Sequence, residues 1–198
     1  MAKPNVFVVE DYKLVMLGVP KCGQTSVKRA FVGKDVYNVH DRGNFNYLNF
    51  DEVEAYREKG YLTVTIVRNP YDRLFSFWKQ KILKPNKFVR GASKPFYTGM
   101  PFTDVVREVC NTCDSASDVH FKSQVEQISF NGRFPEFIGR LENFQDDWNV
   151  ISGLLGKTLP ELPYENRTDY HKDEWTKALK NKVYTRYQRD FRILGYDK

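Results

Sequence analysis

The sequence predicts an α/β protein of three layers, a mainly parallel central sheet flanked by helices. Three observations carry that expectation. Short apolar runs rich in β-branched residues alternate with helical segments, the order that crossover helices impose on parallel strands. The first such run passes through a glycine-bounded turn straight into a helix start. With 198 residues and 41% hydrophobic content the chain can build one core without staples, so a single domain over residues 1–198 is expected.

Lys13–Val19 (KLVMLGV) reads as a buried strand ended by Pro20 and Gly23. Thr25–Val32 follows as the first helix, with Thr25 or Ser26 near its N-terminus. Val36–His40 is a second short strand, and Asp51–Lys59 a helix capped by Asp51 and stopped by Gly60. Leu62–Val67 (LTVTIV) is the clearest strand of the chain, and Pro70 at a first helical position opens a helix over Tyr71–Leu83. Lys84–Met100 carries two prolines, two glycines and Lys84, Lys87, Arg90 and Lys94, and reads as a long basic loop. An amphipathic helix over Phe102–Cys113, a strand over Phe134–Ile138 and a helix over Asn143–Leu155 ended by Gly156 complete the alternation. Thr158–Tyr170 is a proline-containing connection, and Asp173–Phe191 is a terminal helical region with a solvated basic face.

Composition removes several classes. No apolar run approaches the roughly 20 residues of a membrane span. Aromatics at 15% argue against disorder, and three cysteines do not make a disulfide framework. Met1–Glu10 lacks the basic-then-apolar layout of a signal peptide, so a cytoplasmic location is expected. The net charge, 31 − 25 = +6, favours an anionic partner such as nucleic acid, a phosphorylated cofactor or an acidic polysaccharide. Cys110-Asn-Thr-Cys113 is a CxxC that closes a helix, where a redox motif would open one. His120 is the only nearby residue that could join it in a zinc site, so no metal site is expected.

Gly18-Val-Pro-Lys-Cys-Gly-Gln-Thr25 lies between a strand and a helix, the setting in which backbone N–H groups cradle phosphate. It nearly matches the P-loop pattern GxxxxGK[ST], which makes the expected fold P-loop-like. Gln24 stands where that pattern has lysine, however, and the lysine appears as Lys21 inside the turn. The best neighbouring strand ends in Val67-Arg68-Asn69, a cation where a magnesium site needs an acid. Both departures indicate phosphate binding without magnesium. Arg68 at that strand end, with Ser76 two turns into the next helix, suits a second phosphate group.

Together these segments resemble the two cofactor-binding segments of the sulfotransferases that use 3′-phosphoadenosine 5′-phosphosulfate (PAPS). Pro20–Arg29 is similar to their 5′-phosphosulfate loop and Val67–Ser76 to their 3′-phosphate segment. Phe134–Asn143 and Tyr184–Tyr196 are similar to the Golgi-type carbohydrate branch, so the resemblance spans roughly residues 14–196. Members of that branch carry a membrane anchor and are longer, so a soluble, short homologue is expected. The resemblance implies that Lys21 binds the phosphosulfate and stabilises charge on the bridging oxygen. It implies that the N–H groups from Cys22, Gly23, Gln24, Thr25 and Ser26, with the Thr25 and Ser26 hydroxyls, hold the 5′-phosphate, while Arg68 and Ser76 hold the 3′-phosphate. It implies a small-molecule or carbohydrate acceptor, no nucleic acid and no metal. A base must take the acceptor proton. His40 is the first candidate and Asp41 the second, His120 could contact the acceptor, and His171 reads as loop surface. Two other readings stand beside this one: a P-loop kinase or nucleotide hydrolase, and a non-catalytic polyanion-binding module.

Overall fold

The computed structural model describes residues 5–84, 96–163 and 174–198. Lys87, Arg90 and Lys94 of the basic loop, and His171, lie outside the described residues. The chain groups into two compact units, one of residues 5–67 and 127–163, the other of residues 68–84, 96–126 and 174–198.

The first unit holds a five-stranded sheet: β1 (Val6–Val9), β2 (Leu14–Leu17), β3 (Asn46–Leu48), β4 (Leu62–Val67) and β5 (Phe137–Arg140). The spatial order is β3-β1-β2-β4-β5. β2, β4 and β5 are mutually parallel, while β1 runs antiparallel to both β2 and β3. Side chains alternate across the sheet as a pleat requires. Phe7, Leu14, Met16, Val64 and Ile66 pack on one face with Val27 of α1 (Gln24–Val32) and with Trp148 and Ile151 of a later helix, Phe144–Leu155. Val6, Val8, Val15 and Leu17 pack on the other face with Leu48 and Val53, the latter opening α2 (Val53–Glu58). Thr63 and Thr65 are fully buried on β4, where Thr65 Oγ1 donates to the Leu17 carbonyl at 2.7 Å and ties β4 to the end of β2.

Two expectations are corrected here. Val36–His40 is a turn, and the strand of that region is β3 at Asn46–Leu48. The reason is local: Asn38 and Asp41 bond their own backbone, which competes with a ladder, whereas Asn46–Leu48 finds the free edge of β1. Val6–Val9, a short apolar run without a period, is an interior strand of the sheet. α2 is preceded by a 3₁₀ turn at Phe50–Glu52 with a capping box of Asn49 and Glu52, so Asn49 rather than Asp51 is the cap.

The second unit is helical: α3 (Pro70–Phe77), continued by a wide π-turn over Trp78–Ile82, α4 (Phe102–Cys110), the start of α5 (Gln124–Ile128), α7 (Lys177–Arg186) and α8 (Gln188–Ile193), the Phe144–Leu155 helix being α6. α3 begins as its sequence requires, with Pro70 at the first position and Asn69 Oδ1 accepting from the Tyr71 N–H at 2.9 Å. Its core is aromatic: Tyr71, Phe75, Phe77, Trp78, Phe102, Phe121, Trp175, Tyr187 and Phe191 are all buried in one cluster.

Candidate active site

β2 ends at Leu17 and α1 begins at Gln24, so Gly18–Gly23 forms the connection. Two of its residues are left-handed, Lys21 at φ 73° and Gly23 at φ 72°. Glycine adopts this freely, while an L-residue there is held at a cost of about 1–2 kcal/mol. Space also favours Gly23, since a Cβ would lie 2.7 Å from Leu141 Cδ1 and 3.0 Å from Phe144 Cε1 and would push these side chains aside. At Gly18 a Cβ would lie 1.9 Å from Nε2 of Gln24. The Gln24 side chain thus folds back over Gly18, its Nε2 buried and without a hydrogen-bond partner. What Gln24 offers an anion is its backbone N–H.

Gly23 is the N-cap of α1, and Thr25 and Ser26 lie in its first turn, near the N-terminus as expected. The N-cap has no side chain to cap the helix, and no acid sits in its first turn. Among the described residues, no acid of its own first turn therefore competes for the positive end of the α1 dipole. A helix start of this kind is suited to an anion. Lys21 is half-buried beside it, and Cys22 is buried with its thiol toward the Pro20 carbonyl. Ser26 is 4% exposed.

The turn that replaces the expected strand delivers His40 to this loop. Asn38 Oδ1 accepts from the His40 N–H at 3.1 Å, the Asn38 carbonyl accepts from the Asn44 side chain at 2.9 Å, and Val39 is buried beneath. His40 Nε2 then lies 3.1 Å from Thr25 Oγ1, and the imidazole is exposed. Asp41 is turned elsewhere: its Oδ1 accepts the Gly43 N–H at 2.8 Å as a cap.

In the second unit, Arg68 directly follows β4 and is half-buried. Ser76 is 2% exposed, on the second turn of α3. Arg73, between them in sequence, is buried and donates to the carbonyls of Lys122 at 2.8 Å and Val119 at 3.1 Å, an anchoring role. His120 Nδ1 lies 2.6 Å from Asp118 Oδ1, which orients its ring.

Residues 4–197, nearly the whole chain, match the sulfotransferase family. The chain belongs to the sulfotransferase family. It is a transferase that moves a sulfuryl group from a sulfated donor to an acceptor. This sulfotransferase is 23% identical to carbohydrate sulfotransferase 10 of Xenopus laevis over 97% of its own length and 67% of that protein. It is 23% identical to human carbohydrate sulfotransferase 10 over 98% of its length and 67% of the relative. With human carbohydrate sulfotransferase 9 the identity is 24%, over 97% of this chain and 52% of the relative. No solved structure gives a significant match. Among the described residues no helix is long and apolar enough to cross a membrane.

One buried cation near the loop was not singled out by sequence pattern. Lys28, on α1, is 2% exposed, with its ammonium donating to Tyr47 Oη at 2.8 Å and Asn5 Oδ1 at 3.3 Å. It also lies 5.1 Å from the ring centroids of Phe7 and of Tyr47. Burial, and after it the Arg42 charge, pushes its pKa down to about 8. The folded state therefore binds the Lys28 proton less tightly than the unfolded chain does. Stability should rise as pH climbs from about 8 toward the ordinary lysine value of 10.5. Urea denaturation at a series of pH values is expected to show this rise in the wild type and not in Lys28→Met; parallel curves for the two would exclude Lys28 as its source. The CxxC cysteines are free thiols, Cys110 pushed up to about 11 by burial and Cys113 lowered by the Ser115 hydroxyl.

Proposed function

We propose that this sulfotransferase draws its sulfuryl group from PAPS and passes it to a hydroxyl of a carbohydrate, by metal-free in-line displacement on a P-loop-like fold. The contact between Thr25 Oγ1 and His40 Nε2 carries the reading. It joins a loop suited to the donor's anionic end to a base suited to the acceptor's hydroxyl. The carbohydrate acceptor is inferred from the relatives, which are carbohydrate sulfotransferases by name.

When bound, PAPS supplies a sulfuryl group on a phosphate leaving group. The N–H groups of Cys22–Ser26, with the Thr25 and Ser26 hydroxyls, would hold the 5′-phosphate. The Lys21 ammonium would neutralise charge growing on the oxygen that leaves sulfur, the interaction most specific to the transition state. Arg68 and Ser76 would hold the 3′-phosphate. One ring nitrogen of His40 would take the acceptor proton as the acceptor oxygen bonds to sulfur and the bond from sulfur to the 5′-phosphate oxygen breaks. No metal ion enters this scheme: Gln24 stands where a magnesium-dependent loop has lysine, and Arg68 where it has an acid.

The test is steady-state transfer to a sugar acceptor in buffer containing EDTA. Wild-type turnover should be unaffected by the chelator. His40→Ala should lose about 10²–10⁴-fold in kcat, with the donor KM little changed and the acid limb of the pH profile gone. Undiminished turnover in His40→Ala would move the base to another residue, and abolition by EDTA would end the metal-free scheme.

A further inference from the structure

One side chain holds the main chain of Arg68 on both sides. The Arg68 N–H donates to Gln124 Oε1 at 2.9 Å, and Gln124 Nε2 donates to the Arg68 carbonyl at 2.7 Å. Gln124 is 0% exposed. A carboxamide presents one donor and one acceptor in a plane, as a peptide group does, so the pair fixes both the place and the tilt of Arg68. Arg68 has need of this. It follows the last residue of β4 and precedes Asn69, the N-cap of α3, so neither a strand ladder nor a helix holds it.

Gln124 is itself held. Asp190 of α8, also 0% exposed, accepts the Gln124 N–H at Oδ2 and the Val125 N–H at Oδ1, each at 2.9 Å. This carboxylate caps the first turn of α5 and sets the direction in which Gln124 leaves the backbone. Burial raises the Asp190 pKa, and the two N–H groups and the Arg73 charge oppose that shift. Arg73, through the Val119 and Lys122 carbonyls, ties the segment ahead of Gln124 to α3. Residues from three distant stretches of sequence thus converge on the backbone of one residue. They include the C-terminal stretch Tyr184–Tyr196, to which the family resemblance gave no role.

We propose that Gln124, oriented by Asp190, is a positioning residue for the donor's 3′-phosphate, setting the point from which the Arg68 guanidinium reaches it and so the preference for 3′-phosphorylated nucleotides. The proposal rests on the assignment of Arg68 to the 3′-phosphate. A guanidinium fork pairs with phosphate through parallel N–H···O bonds of fixed geometry, and a shift of its base by a fraction of an ångström weakens both. Remote misplacement of about 1 Å is enough to lose roughly 10²-fold in a positioned reaction. Gln124 touches no reacting atom in this scheme. It acts through Arg68 alone, so its loss should be felt by ligands bearing the 3′-phosphate and not by those lacking it.

The experiment is calorimetry on the whole chain with adenosine 3′,5′-bisphosphate and adenosine 5′-monophosphate, together with donor kinetics. Wild type should prefer the bisphosphate. Gln124→Met, close in size and without the paired bonds, should reduce that preference about tenfold, with 5′-monophosphate affinity unchanged and donor KM raised more than kcat is lowered. Asp190→Asn, which keeps the shape and one acceptor, should show a smaller loss of the same kind and serves if Gln124→Met fails to fold. A purely structural role predicts equal weakening of both nucleotides, and that result, or a full preference retained in both variants, overturns the proposal. A wild type that binds the two nucleotides equally would instead remove the Arg68 assignment on which the proposal stands.

Discussion

Lys21→Ala is expected to lower kcat by about 10²–10³-fold while leaving affinity for adenosine 3′,5′-bisphosphate within a few-fold of wild type. The asymmetry follows from where the ammonium is assigned to act. Charge gathers on the leaving oxygen only as its bond to sulfur breaks, so the product complex benefits less than the transition state. The backbone adds a second, opposite signature. Lys21 sits at φ 73°, a conformation that an L-residue adopts at a cost and glycine does not. Lys21→Gly should therefore be more stable than wild type by about 0.5–1 kcal/mol in urea denaturation, and as inactive as Lys21→Ala. A glycine variant that keeps wild-type turnover would show that the amine has no part in the chemistry. A gain in stability joined to a loss of activity would identify the turn as a place where the fold tolerates strain to hold a cation in position.

Arg68→Ala is expected to raise the donor KM about 10²-fold, through the loss of charge-assisted hydrogen bonds worth about 1.5–3 kcal/mol. Its effect should be confined to the 3′-phosphate: binding of the bisphosphate should fall to the level of the 5′-monophosphate, which itself should be unchanged. The substitution is well suited to the measurement. The bonds from Gln124 go to the Arg68 backbone, so an alanine keeps them and the strand end stays in place. Equal weakening of both nucleotides would assign Arg68 to the scaffold.

What could be read in advance from the chain follows the range of the interactions involved. Leu62–Val67 coincides with β4, because a run of β-branched residues flanked by Gly60 and Pro70 encodes its own limits. Gly156 stops α6 in the left-handed conformation expected of it, at φ 60°. Terminal helices come out broken at Tyr187, where α7 gives way to α8. Val6–Val9 escaped notice because four apolar residues carry no period, and their strand character comes from pairing with β2 and β3. Val36–His40 misled in the other direction: its valines suggest a strand, but Asn38 and Asp41 close a turn there. In the site, the glycines, Lys21 and Thr25 form a local pattern and were legible. The contact of His40 with Thr25 crosses 15 positions, and that of Gln124 with Asp190 crosses 66, so neither leaves any periodic trace. Lys28 is the instructive case. In sequence it is one more cation on a basic helix, and only the approach of Tyr47 and Asn5 turns it inward.

The reversed direction of β1 has a practical corollary. Because β1 runs against β2, Val6 pairs with Leu17 at the end of β2 that feeds the glycine turn, and the Asn5 carbonyl accepts the Gly18 N–H at 2.8 Å. Asn5 thus stands beside the turn that is proposed to hold the donor. An affinity handle or fusion partner for purification is therefore better kept off this end of the chain.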